Sequence, residues 1–495
     1  MDNSLWGRSA VKSTATHNVL AAAMVCGLTF TSTTPFAQET PTSTAPVAAD
    51  SVPLSEPTPG FERAAPPSGD PAQVIRRSFD GISFLGSRIF IPPDTNAAVG
   101  NDFVVETVNV QIRVFDKASG ALLLDEPLAT FFGAFSGGDP YVVYDDTADR
   151  WYVSAFDSSD SGLFLAVSLD GNPLDGFLPT FHLANLGFPD YPKPGFNKDA
   201  IFISYNNFGP GGGAAATIAT IDKQAALLGT LTYFVSHPQF QFRAMPPAQM
   251  HMTQDTGGKR HAPAGVEWFV STDGNDFSGT TIRVTQMTNY LSNSPHFTYT
   301  SLPVTAYRSA TTADQPGGTI TTFPNTTTTQ VQFHSGRLVT AMASATATDG
   351  FVYPKGRIYQ IDVSRGTPTL LAERLIDPGN GIAVQMPSVD QESQGNLGLT
   401  WMESSKTEHL TMWVATLDRF GKRVSAVAAP GGGFFAANSR IGDYSTTVLD
   451  LTNDQQDMFW SANEYIGDGG RTNIWRTHIT SFSAPEQSIA SNGGQ

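Results

Sequence analysis

A strand–turn–strand phase recurs along this sequence, and nothing helical competes with it. It stands in "PPDTNAAVGNDFVVETVN" (92–109), "GDPYVVYDDTADRWYVSAFD" (138–157) and "FPDYPKPGFNKDAIFISYNN" (188–207). It returns in "MPPAQMHMTQDTGGKRHAPAGVEWFVSTDG" (245–274), "TTTQVQFHSGRLVTAMAS" (327–344), "MPSVDQESQGNLGLTWMESS" (386–405) and "RIGDYSTTVLDLTNDQQDMFWSANEY" (440–465). The phase falls near residues 96, 140, 192, 248, 331, 388 and 444. Intervals of roughly 45–85 residues, mostly near fifty, suit four-stranded propeller blades with loops, whereas a sandwich gives no such regular unit. Apolar and aromatic residues come in short runs broken by Gly, Pro, Asn and Asp, an all-β pattern. "KQAALLG" (223–229) is the best short helical candidate. The expected fold is a seven-bladed β-propeller over residues 71–485, with a large insertion between the fourth and fifth phases. That insertion carries the Thr-rich stretch "ATTADQPGGTITTFPNTTTT" (310–329). The last blade lacks an outer strand after "NIWRTHITSF", so "AQVIRRSFDGISF" (72–84) is expected to supply it. Joining the two ends in this way also removes exposed sheet edges.

The ends of the chain read differently. Arg8 and Lys12 precede the apolar run "NVLAAAMVCGLTF" (18–30), and small polar residues and "PFAQ" follow. This is a secretory signal pattern over 1–37, with cleavage after Ala37. The run is too short to span a bilayer comfortably, and no other stretch is long and apolar enough. The only cysteine, Cys26, lies inside it, so the mature chain must be stabilised by a core rather than by disulfides. Residues 38–70, rich in Pro, Thr, Ala and Ser, and the tail 486–495 are expected to be disordered. A secreted monomer, periplasmic or extracellular, follows. The full chain carries a net charge of −16, an acidity that favours solubility and argues against nucleic acid, whose phosphates require basic surfaces.

Propeller geometry turns the phase into a site. The innermost strand of each blade lines a central channel. The loops entering the first strand and leaving the second fall on one face. Asp443 enters a first strand and Glu464 leaves its partner, so one hairpin carries both to the same rim. Asp94, Asp139 and Asp190 likewise stand at first-strand entries. Asn109, Asp157, Asn206, Asn207, Glu403 and Asn463 stand near second-strand exits. Any one of these also reads as a turn cap, bonding nearby backbone N–H groups. Their convergence in a concavity is what points to a ligand. Oxygen ligands of this kind suit Ca²⁺ as the divalent cation, and the scattered histidines, with no "HExxH", give no zinc site. Tyr144, Tyr191, Tyr205, Tyr444 and Tyr465 lie near the rims. Trp151, Trp268, Trp401 and Trp460 sit in second-strand positions, where large aromatics fill the wedge between twisted sheets. Lys193 and Arg440 are the candidate cations of the mouth. Arg150 and Arg337 follow first-to-second-strand turns on the opposite face.

"PPDTNAAVG", "GDPYVVYDDTADRW", "FPDYPKPGF" and "RIGDYS…FWSANEY" resemble the recurring signatures of a family of secreted bacterial β-propeller proteins. That family is similar in architecture to sialidase-like, or BNR-repeat, propellers. The resemblance covers residues 75–482 and implies fold and export but no activity. "SVDQESQGNLGLTW" (388–401) departs from the spacing of a sialidase Asp box, and the arginines do not gather at the mouth. Two functions remain open. One is a non-catalytic module binding an extracellular glycan or partner protein, with Asp94, Asn109, Tyr191, Asn206, Asn207, Glu403, Tyr444 and Asn463 as ligand contacts. The other is a carbohydrate-active enzyme. A glycoside hydrolase would use Asp443 with Asp139 or Asp190, and Glu464 as the acid. A polysaccharide lyase would use Tyr191, Tyr444 or His251 as base. "GPGGG" (209–213) and "APGGG" (429–433) lack the lysine and helix of a phosphate loop and read as mobile loops.

Overall fold

A computed structural model describes residues 73–484, except for short internal segments (85–89, 134–136, 158–160, 209–213, 239–243, 255–259, 273–276, 311, 323–327, 348–349, 351, 420, 436–439, 453–457 and 468–473). The signal, linker and tail expected at 1–37, 38–70 and 486–495 lie outside the described residues, as does "GPGGG". The described chain is nearly all β. Two short helices, Leu128–Phe131 and Lys223–Leu227, interrupt it, the second where the sequence suggested one. Asp222 caps that helix by accepting from the Ala225 N–H.

Four sheets have four strands each. Asn96–Val99, Phe103–Val108, Gln111–Asp116 and Leu122–Pro127 form the first. Gly138–Asp145, Arg150–Asp157, Gly162–Val167 and Phe181–Leu183 form the second. Ala383–Gln391, Leu397–Ser405, Glu408–Leu417 and Arg423–Ala429 form the third. The fourth joins Thr446–Leu449, Met458–Ile466 and Trp475–Ser483 to Val74–Ser83, which pairs antiparallel with Trp475–Ser483. A larger sheet contains three further antiparallel runs. These are Pro189–Phe196 to Tyr233–Ser236, then Ala248–Met250 with Glu267–Thr272, Ser278–Thr288 and His296–Arg308, then Val331–His334 to Thr369–Ile376. The runs merge because their first strands pair in parallel, Phe196 with Gln249 and Ala248 with Val331. First strands of successive units lie side by side, and Thr446–Leu449 returns to Asn96–Val99. Up-and-down strand units set radially around their first strands are the arrangement of a β-propeller.

Burial explains which strands alternate in sequence. All nine residues of Ala383–Gln391 and of Leu397–Ser405 are buried, because these inner strands are covered on both faces. In the outermost Leu122–Pro127 and Thr369–Ile376, by contrast, only Ile376 is buried. Between units the wedge is filled by indoles. Trp151 packs with Val105, Ile112 and Val114 of the preceding unit. Trp401 packs with Val339 and Ile358, Trp460 with Val104 and Phe115, and Trp268 with Leu338 and Tyr359. Gly398 lies against the Phe459 ring so closely that a Cβ there would stand 2.1 Å from it. "APGGG" is pinned rather than free, since the Gly431 N–H donates to Thr411 Oγ1 at 3.0 Å and the Gly432 N–H to the Ile466 carbonyl at 2.8 Å.

Candidate functional site

The entries to the first strands share a backbone device. Asp94, Asp139, Tyr191, Ala244, Met386 and Gly442 all have φ between +42° and +76°. In the left-handed region an L side chain costs roughly 1–2 kcal/mol, so these turns are held by surrounding bonds. The ladders slip at the same places, between Gly138 and Tyr141, Asp190 and Lys193, and Gln385 and Ser388. A bulge of this kind bends the entering chain locally.

Much of the predicted polar rim holds these turns. Asn109 Oδ1 accepts from the Asp139 N–H at 2.9 Å, and its amide donates to the Pro92 carbonyl and to Asp94. Asp139 Oδ2 accepts from the Tyr191 N–H of the next unit at 2.9 Å. Asn206 Oδ1 accepts from the Ala244 N–H at 2.8 Å. Asn463 donates to the Met386 carbonyl at 3.1 Å, and Asn207 to the Leu186 carbonyl at 3.0 Å. Glu403 accepts from the Trp401 indole at 2.7 Å and faces Arg423. The amides therefore latch one unit to another, and Glu403 stands apart from the mouth.

Five carboxyls do gather there: Asp94, Asp139, Asp190, Asp443 and Glu464. The Asp94 carboxyl is buried, and no donor faces its Oδ1. Its neighbour is the Asp139 carboxyl, and two such groups can bond only by sharing a proton. Burial, then repulsion from Asp139 and Asp443, holds Asp94 well above the carboxylate range. Burial raises Asp139 as well. Burial and the charges of Asp139 and Asp443 push Asp190 up to about 7. Burial pushes Asp443 up to about 7 and Glu464 to about 8. Glu464 accepts from the Gly442 N–H at 3.1 Å. Asp190 is partly exposed; its N–H donates to the Phe188 carbonyl at 3.0 Å, but its carboxyl takes no hydrogen bond among the described residues.

Two cations serve the cluster. Arg440 pairs with Asp443 and lowers all five carboxyls. Lys193 is not a rim cation. It is buried, with Nζ 4.0 Å from the centre of the Tyr191 ring and 4.6 Å from that of Tyr444, donating to the Thr329 carbonyl at 2.8 Å. Burial drops its pKa to about 7, against the pull of Asp443, Asp139 and Asp94. The two tyrosine rings stack at 5.0 Å, and their hydroxyls donate across the channel to the Asp443 and Pro192 carbonyls.

Metal and base candidates stand differently. Among the described residues, no group of three or more His, Cys, Asp or Glu side chains is arranged to hold a metal ion. His251 does not join the mouth. It follows the inner strand Ala248–Met250, at the far end, where it stacks on His334 at 5.2 Å. Asp146 holds His251 at 3.0 Å and Asp390 holds His334 at 2.8 Å. Burial lowers the His251 pKa, but Asp146 outweighs it and the net shift is upward. A cavity of about 660 Å³ lined by Arg77, Asn101, Asp116, Lys117 and Asp450 lies on the far side, where Lys117 is taken by Asp450 at 2.8 Å.

The cluster has a pH signature. Carboxyls raised in the folded state stabilise it fully below their unfolded values near 4, and this is lost as pH rises through about 7–8. His251 acts in the same sense. Lys193, lowered in the folded state, acts oppositely, favouring folding as pH rises from about 7 to 10. Carboxyls outnumber the lysine, so the melting temperature is expected to be several degrees higher at pH 5 than at pH 8. Differential scanning fluorimetry across pH 4–9 checks this, and a maximum at pH 8 contradicts it.

No protein-family model matches the chain, and no curated protein matches it. Solved structures do. Kuenenia stuttgartiensis hydrazine synthase aligns over 77% of this chain and 96% of its own, at 10% identity and TM-score 0.41. The WD40 domain of SCAP from fission yeast aligns over 83% and 98%, at 10% identity and TM-score 0.36. A GH43 endo-arabinanase from Bacillus licheniformis aligns over 58% and 96%, at 15% identity and TM-score 0.29. Likeness at this level says nothing about the chemistry of the mouth. Among the described residues no helix is long and apolar enough to cross a membrane.

Proposed function

We propose that the protein is an exported seven-bladed β-propeller that binds an extracellular ligand, a glycan or a partner protein, at the mouth where its inner strands begin. The observation that carries this reading is the position of Asp190. Its carboxyl is partly exposed, takes no hydrogen bond among the described residues, and is set against Asp139 and Asp443 in a cluster that adjacent units build together. A structural cap has a backbone donor to satisfy, whereas Asp190 has none and is left to meet a hydroxyl or a cation from solution. Arg440, a third exposed at its side chain, offers a donor fork beside it.

A second reading, a carbohydrate-active hydrolase, is favoured by one feature. Acids held protonated near neutral pH are what glycosidic leaving groups need, and Asp190, Asp443 and Glu464 are raised into that range. The lyase variant is weaker, because the hydroxyls of Tyr191 and Tyr444 already donate to backbone carbonyls and burial holds Tyr444 well above the ordinary tyrosine range. Screening the purified protein against glycans, polysaccharides and extracellular proteins separates the two. Retention of intact ligand supports binding, and release of new reducing ends supports hydrolysis. No interaction with any panel member counts against both.

A further inference from the structure

The insertion between the 248–308 and 331–376 units is more than a loop. Its strands Thr312–Gln315 and Gly318–Thr321 form a hairpin that reaches the 383–429 unit, and Ile320 joins an apolar cluster that includes Ile466 and Trp475 of the 446–483 unit. Gln315, buried, makes a two-way amide bond to the backbone of Phe435: its side-chain oxygen accepts from the Phe435 N–H at 2.9 Å, and its nitrogen donates to the Phe435 carbonyl. Ile320 is fully buried with Met386, Met402, Leu410, Phe435 and Ile441. The Phe434 ring lies against the hairpin turn at Gly317 and Gly318. Tyr353 donates to Asp314 at 2.6 Å and fixes the near side. The tip of this docking is a parallel bridge between Thr321 and Arg440, with the Ile441 N–H donating to the Thr321 carbonyl at 3.3 Å.

We infer that hairpin 312–321 is a positioning strap, which fixes the backbone of Arg440 so that its guanidinium stands at Asp443 and sets the charge of the mouth. This rests on the mouth being the ligand site. The alternative to a strap is an arginine reaching in from an untethered loop, which would lose side-chain and backbone freedom each time it paired. The groups facing Arg440 are Asp94, Asp139, Asp190, Asp443 and Glu464, with Lys193 as the other cation. Removing the guanidinium raises the carboxyl pKa values further, as loss of an adjacent opposite charge does by about 1–3 units. The pH at which folding stability is lost then moves upward.

The experiment compares wild type, Gln315→Ala, Phe434→Ala, Arg440→Gln and the Gln315→Ala/Arg440→Gln double variant, by melting temperature from pH 4 to pH 9 without ligand. Each single variant is expected to move the midpoint of the pH-dependent decline upward, Arg440→Gln by about one unit. The double variant is expected to move it no further than Arg440→Gln alone, because the strap acts through that side chain. Phe434→Ala tests the same docking without removing a polar group, should Gln315→Ala fail to fold. A uniform loss of melting temperature with an unmoved midpoint, or additive shifts in the double variant, overturns the inference. Ligand binding is not the readout, so failure of the proposed function and failure of the strap are distinguishable.

Discussion

Deleting residues 73–83 is expected to abolish cooperative folding. The strand Val74–Ser83 runs antiparallel to Trp475–Ser483, from Val74 opposite Ser483 to Ser83 opposite Arg476. Ile82 is buried beside Val108, Ile466 and Trp475, and truncating a buried residue of this size alone costs about 2–5 kcal/mol. The Phe79 ring packs tilted against Phe115, with centroids 5.2 Å apart, and edge-on to Trp460 at 6.5 Å. Gln73 ties the strand to a second unit, with its oxygen accepting from Thr416 N–H and Oγ1, both at 2.9 Å. The Glu106 carboxyl would lose the Ile82 N–H at 2.8 Å, while Trp475–Ser483 would present an open edge. The combined loss approaches the 5–15 kcal/mol by which a domain is ordinarily stable. Thermal unfolding and size-exclusion chromatography check it. A single sharp transition close to that of wild type would show that the ends are not a structural seam.

The second large effect is expected inside the fold. Lys223 and Asp145 form an ion pair at 2.5 Å, with side-chain exposures of 1% and 0%. Tyr152 donates to the same carboxylate at 2.8 Å. Lys223 follows a strand of the 189–236 unit and Asp145 ends a strand of the 138–183 unit, so the pair bridges neighbours. Lys223→Met leaves a buried carboxylate without its cation and is expected to cost about 3–5 kcal/mol. The double change Lys223→Met/Asp145→Asn is expected to recover most of that loss, because an apolar partner and a neutral amide carry no uncompensated charge. Urea denaturation measures both. A single-variant cost below about 1 kcal/mol would place the pair among weakly coupled surface bridges.

The β character and the repeat were legible because they rest on local chemistry. Turn residues flank short apolar runs at a steady interval, and Asp443 and Glu464 sit at the two ends of one such hairpin. The indoles were legible for the same reason, since four large aromatics in equivalent second-strand positions must fill equivalent wedges. The latches were not. Asn109, Asn206 and Asn463 look like ligand groups in sequence, and only the left-handed turn of a neighbouring unit shows what they hold. That turn is itself hidden, because Tyr191 and Met386 carry no glycine or asparagine signal for positive φ. One trace was available: Asp139, Tyr191 and Met386 each precede a proline at a strand entry. Lys193 looked like a rim cation because sequence does not record which groups cross a channel. His251 and His334 meet across two units, and Arg440 reaches the mouth through a hairpin more than a hundred residues before it in the chain. Long-range pairings of this kind leave no local pattern.

The mouth as binding site is tested most directly by affinity for a ligand from the panel, measured for wild type, Asp190→Asn and Asp443→Asn together with their melting temperatures. The Asp190 carboxyl takes no hydrogen bond among the described residues and is repelled by Asp139 and Asp443, so Asp190→Asn should leave the melting temperature unchanged or raise it. If ligand docks there, the same change should weaken binding at least about tenfold, a loss of roughly 1.4 kcal/mol, and Asp443→Asn should weaken it comparably. Unchanged affinity in both variants, with the fold intact, would mean that the carboxyls are scaffolding and that the ligand is held elsewhere.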